Sequence, residues 1–151
     1  MSQITTFLGM RKKMIALGER LSAEEAHRIP RGFKNNVVWN LGHVLVTHQI
    51  LCYKLSGLPM LVDGDMIARF AKGTRPEDWE EPADLSAVLT QLLPLGEKFV
   101  NDYAAGVFKE FEPYTTSTGF TLENIDDAFS FNLAHEGLHL GYALAQRRAA
   151  N

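Results

Sequence analysis

Four stretches of the chain repeat apolar residues at the three-to-four spacing of a helix with one buried face. Residues 2–21 set Ile4, Phe7, Leu8, Met14, Ile15 and Leu21 on one stripe, and Ser2 suits the N-cap. Arg11 lies close to that stripe. The pattern predicts that its stem lies along the core while its head group reaches water; the other course is a pocket where it holds an anion. Ser22 to Phe33 breaks the pattern at Pro30 and Gly32, and places His27 at the surface.

A second helix is expected from about Asn35 to Ser56. Asn35 or Asn36 caps it, and Gly57 with Pro59 ends it. The connection Leu58 to Pro82 is long for a compact domain, so it crosses a bundle or covers a site, with a helical turn over Asp65–Ala71. Asp84 caps a third helix to about Ala105, buried along Leu85, Val88, Leu89, Leu92, Leu95, Phe99 and Tyr103 and kinked at Pro94. Residues 106–120 are irregular, and Thr115 to Gly119 forms a polar turn, either a small hairpin or a lid. The last helix runs from a Thr121 cap to Arg148 without a proline. With no convincing strand, the pattern reads as all-α: one domain over residues 1–151, a four-helix bundle with a long crossover between its second and third helices.

Composition narrows the function. With 151 residues, 46% of them hydrophobic, the chain can bury one proper core. A net charge of −3 and short basic clusters exclude a nucleic-acid footprint. No window reaches the roughly 20 apolar residues of a membrane span, and the start lacks a signal-peptide core. The single cysteine, Cys52, forms no internal disulfide, which fits a reducing cytoplasm.

The candidate chemistry sits on two helices. His135 and His139 are four apart, so both imidazoles leave one face of the last helix and can meet one metal ion. His43 stands in the apolar stripe of the second helix, where a buried imidazole needs a partner. His48 and Cys52 lie about 140° and 180° away on that wheel, so they belong to other faces. Three histidines leave a coordination position open, as catalytic sites do. Imidazole-only ligation suits zinc or nickel, and copper or iron less specifically. Asn40, Asn132 and Tyr142 are candidates to orient the rings.

His135-Glu136-x-x-His139 also matches the zinc-protease pattern, but no strand region to bind a peptide and no downstream third ligand accompany it. Glu136 points roughly 80° off the midline of the pair and is the candidate proton acceptor if it comes within reach. A di-iron site is excluded, because the second helix has no acidic residue from Asn36 to Gly57.

Trp39-Asn40-Leu41-Gly42-His43-Val44-Leu45 resembles the second-helix motif of the DinB-like family. His135-Glu136-Gly137-Leu138-His139-Leu140-Gly141 resembles that family's His-x-x-x-His signature. The resemblance implies an up-down-down-up bundle, a homodimer, and a nickel or zinc ion held by His43, His135 and His139. It also implies a small-molecule substrate, since family members include transferases and an isomerase that use low-molecular-weight thiols such as bacillithiol or mycothiol. Gly141-Tyr142 stands where many relatives carry Gly-Gln, a change in the pocket wall. Two functions follow: a metal-dependent thiol S-transferase (bacillithiol, mycothiol or glutathione type) or small-molecule hydrolase, and a non-catalytic metal- or ligand-binding bundle.

Overall fold

The computed structural model describes residues 2–149. Met1, Ala150 and Asn151, the outermost residues of the expected domain, lie outside them. The protein is mostly helical, with a single two-stranded sheet. Helix α1 spans Gln3–Gly18, and Ser2 caps it by accepting from the Thr5 backbone N–H. A short helix α2, Ala23–His27, follows where the apolar pattern alone predicted none. Its signal is local: Ser22 accepts from the Glu25 N–H, while Glu25 accepts from the Ser22 N–H, a reciprocal cap.

Helix α3, Val37–His48, is the innermost element, with every residue but Thr47 buried. Its regular winding stops at His48, earlier than expected. The chain continues as a π-helical turn, Gln49–Tyr53, then a 3-10 turn, Lys54–Ser56, before Gly57 ends it at φ +69°. Helix α4, Gly64–Phe70, lies in the long connection and starts from an Asp63 cap. Helix α5, Leu85–Ala104, runs through Pro94 as one helix.

The strands β1, Tyr114–Thr115, and β2, Thr121–Leu122, pair antiparallel and close a small hairpin. This moves the start of the last helix, α6, from Thr121 to Ile125. Thr121 is committed to pairing with Thr115, and Asn124 takes over as cap by accepting from the Asp127 N–H at 2.9 Å.

The long helices pack in a ring: α1 against α5 and α6, and α3 against the same two. Helix α4 lies on α3. One apolar cluster centres on Leu41, Val44, Leu45, Phe70 and Leu92. A second is aromatic, with Phe99 edge-on to Phe7 and Phe129 at 5.6 and 4.9 Å between centroids.

Arg11 corrects the sequence expectation. It does not reach water; it is 0% exposed, donates to the Leu92 carbonyl at 2.8 Å, and pairs with the carboxylate of Glu136. His27 is half-buried, with its ring nitrogens each 2.8 Å from a carbonyl oxygen, of Ala23 and of Ala83. His48 and Cys52 face the aromatic cluster and are buried.

Candidate metal centre

Packing of α3 on α6 sets His43 opposite His135 and His139. The ring centroids are 5.1 Å apart for His43 and His135, 4.7 Å for His43 and His139, and 4.4 Å for the helical pair. One nitrogen from each ring lies within 4.8 Å of the other two. Zn–N bonds of roughly 2.0–2.1 Å put tetrahedral ligand nitrogens about 3.4 Å apart, so the observed spacing is at most about 1.4 Å wider than an ion requires.

Hydrogen bonds decide which nitrogen each ring offers. His43 donates its Nδ1–H to the Phe70 carbonyl at 2.7 Å, which leaves the lone pair on Nε2. That carbonyl is within reach because Gly42, one residue before His43, has no side chain: a Cβ there would lie 2.4 Å from the Phe70 ring. Thr47 Oγ1 lies 3.3 Å from His43 Nε2 and can donate to it. Trp39 stacks on His43 at 4.5 Å and 12°.

His139 donates its Nδ1–H to Asn40 Oδ1 at 2.7 Å. The amide of Asn40 cannot be turned around. Its Nδ2 faces three acceptors: the Asn36 carbonyl at 2.9 Å, and Asn35 Oδ1 and Gln146 Oε1 at 3.0 Å each. Gln146 in turn donates from Nε2 to the Asn35 carbonyl and Oδ1, at 2.8 and 2.6 Å. These amides assign oxygen to the side of Asn40 facing His139, and so leave the lone pair of that ring on Nε2. His135 Nδ1 is buried and finds no hydrogen-bond partner among the described residues. Such a nitrogen is costly to bury, and a metal ion is a partner its lone pair suits.

All three rings are held neutral, the state a ligand needs. Burial lowers His135 to about 3, with His139 and His43 adding repulsion. Burial and His43 lower His139 to about 4. Burial also lowers His43, outweighing its bond to Phe70, and the Lys72 ammonium acts in the same direction.

A cavity of about 530 Å³ opens beside this cluster. His43, Thr47 and His135 form part of its wall. The hairpin covers it with Tyr114, Thr116 and Phe120, the role the polar turn suggested.

Glu136 lies elsewhere. It is 0% exposed, is absent from the cavity wall, accepts from Arg11 Nη2 at 2.8 Å and Nε at 3.3 Å, and accepts from Asn132 Nδ2 at 2.9 Å. Of the candidates to orient the rings, Asn40 does so. Asn132 serves Glu136 instead, and Tyr142 is 48% exposed against Phe33. Gln146 escaped the sequence reading, although it stands seven residues after His139 on one helix face. The Phe70 carbonyl leaves no sequence signal.

A family model of the DinB superfamily matches residues 6–143. The chain belongs to the DinB superfamily. The DinB match includes all three histidines and ends before Gln146. A comparison with curated proteins finds no match.

Proposed function

We propose that this DinB protein is a metal-dependent enzyme acting on a small molecule, with His43, His135 and His139 holding one nickel or zinc ion. The observation that carries the reading is the convergence of three neutral imidazoles, within 4.8 Å, two of which, His43 and His135, line a 530 Å³ cavity. A divalent ion there supplies a Lewis acid that lowers the pKa of a thiol or water and polarises an electrophile. The chain's own residues do the rest. Phe70 and Asn40 hold the rings of His43 and His139 in the right tautomer. Thr47 places a hydroxyl at the boundary between cluster and cavity, and the hairpin supplies part of the cavity wall.

Transfer of a low-molecular-weight thiol to an electrophile is the reaction favoured by the family resemblance, with hydrolysis of a small molecule second. Cys52 is not the nucleophile in this reading: burial pushes its thiol far up, and Glu136 adds to that. The arrangement is read as one up-down-down-up four-helix bundle domain, supported by the ring of packed helices and the long connection after α3. A homodimer follows the family. A cytoplasmic location fits the lone buried cysteine, and among the described residues no helix is long and apolar enough to cross a membrane.

One observation favours the non-catalytic alternative. Glu136, next to His135, is occupied by Arg11, and among the described residues no acidic side chain lines the cavity to move a proton. The deciding experiment has two stages. Elemental analysis and calorimetric titration compare the parent with His139→Ala, where unchanged metal affinity refutes the site. Conjugation of a model electrophile to a panel of thiols then compares chelated with metal-loaded protein, where equal rates refute the metal-dependent reaction.

A further inference from the structure

The cavity over His43 and His135 has one charged residue in its wall. Lys72 sits two residues beyond the end of α4, and no aspartate or glutamate lines the cavity among the described residues. Lys72 makes no ion pair or hydrogen bond among those residues. Its ammonium lies close enough to His43 for its charge to be felt there.

The uncharged wall has two characters. Ile50, Leu55, Phe120, Phe131 and Leu138 make an apolar and aromatic surface. Phe120 and Leu138 are 62% and 58% exposed, a cost in water that a ligand would offset. Thr116, Ser117 and Thr118 add hydroxyls from the hairpin. A volume of about 530 Å³ suits a single small molecule.

We infer that the cavity selects an amphipathic anion: an aromatic or aliphatic body lies against Phe120, Phe131 and Leu138, a carboxylate or phosphate group meets Lys72, and the reacting end reaches His43 and His135. This rests on the reading of the histidines as the reactive end. A lone ammonium in water gains little from an ion pair. In a cavity that also carries Phe120 and Phe131 in its wall, a bound apolar body displaces water beside the pair, and each charge-assisted hydrogen bond counts for more. A cationic ligand would meet Lys72 with nothing acidic to offset it. A neutral one would leave the ammonium unused.

Calorimetry on the full chain tests this with four probes sharing a phenylalkyl body: 4-phenylbutyrate, 3-phenylpropyl phosphate, 4-phenylbutyramide and 4-phenylbutylamine. Each is titrated into chelated and zinc-loaded protein, for the parent, Lys72→Met and Lys72→Glu. Lys72 is exposed, so both variants should keep the parent's unfolding midpoint. The parent is expected to bind one or both anions about fivefold or more tighter than the amide, and the amine most weakly. Lys72→Met should erase that preference and Lys72→Glu invert it, in both metal states. The larger preference identifies the head group as carboxylate or phosphate. An amide bound as well as both anions overturns the inference, as does a preference that survives in Lys72→Met. A preference present only with zinc and indifferent to residue 72 also overturns it, because the anion is then on the ion. Failure of zinc to bind would refute the metal reading, while the chelated series would still measure the role of Lys72.

Discussion

Arg11 on α1 and Glu136 on α6 form a two-point ion pair, with both side chains 0% exposed. The pair stands on the residue next to His135, so it anchors the helix that carries two of the three histidines. Removing one member should leave the other charged and buried, at a cost of about 3–5 kcal/mol. Arg11→Met and Glu136→Leu should each show that loss in denaturant unfolding. The double variant should lose clearly less than the sum, with a coupling of about 1–3 kcal/mol. Its metal affinity should stay near the parent's, because neither residue lines the cavity. A double variant that folds but no longer binds metal would refute the separation drawn between the ion pair and the site.

Asn40 and Gln146 should tune metal affinity without touching the ion. Asn40→Ala frees the ring of His139, and loss of such a partner typically costs about 10–100-fold in affinity. Gln146→Leu removes one acceptor from Asn40 Nδ2 and should weaken binding in the same direction by less. Nitrogen NMR of the metal-free protein should find His139 protonated on Nδ1 in the parent, and a tautomer mixture in Asn40→Ala. A pure Nδ1–H form in that variant would remove Asn40 from its role.

Two glycines in the two histidine motifs should respond oppositely to alanine. At Gly42 a Cβ would lie 2.4–2.6 Å from atoms of the Phe70 ring. Gly42→Ala must push α4 outward, costing about 1–3 kcal/mol and drawing the Phe70 carbonyl away from His43. Gly137 would meet only Met10 Sδ, at 3.7 Å. Gly137→Ala should therefore stabilise α6 by about 0.5–1 kcal/mol. Thermal unfolding and metal titration of both variants measure the contrast.

The elements legible in the sequence were those with long apolar stripes. The helices α1, α3, α5 and α6 announce themselves by period, and the i,i+4 pair His135 and His139 by spacing. His43 was legible because a histidine in the middle of a buried stripe is costly. Arg11 was not: its partner Glu136 is distant in the chain, and a wheel cannot show that two helices face each other there. The start of α6 was misplaced for a similar reason. Thr121 is a good cap in isolation, but its pairing with Thr115 claims the backbone first. The carbonyl of Phe70 and the wall residue Lys72 come from the long connection, whose path no periodicity predicts.

Acid should destabilise the metal-free protein well before its carboxylates titrate. Unfolded imidazoles take a proton near 6.5. In the folded chain His139 does so only near 4 and His135 near 3, and buried His48 well below its ordinary value, all chiefly because burial disfavours the cation. Between those limits the unfolded state binds more protons, so unfolding free energy rises with pH. The share of His139 and His135 is complete above about pH 6.5, fades as pH falls, and is gone below about 3. The unfolding midpoint of chelated protein should thus drop steadily from pH 6.5 to 4. His48→Leu should lessen that slope, since it removes one of the buried imidazoles that titrate low. Metal binding follows the same ordering. Rings that are already neutral release no proton to the solvent, so His135 and His139, near 3 and 4, should add no pH dependence to the affinity from pH 7.5 to 5.5, where an ordinary histidine pair weakens. Calorimetry in buffers of different ionisation enthalpy measures the protons released directly. Release of more than one proton per ion at pH 6 would show that His135 or His139 is protonated there, and would refute their depressed values.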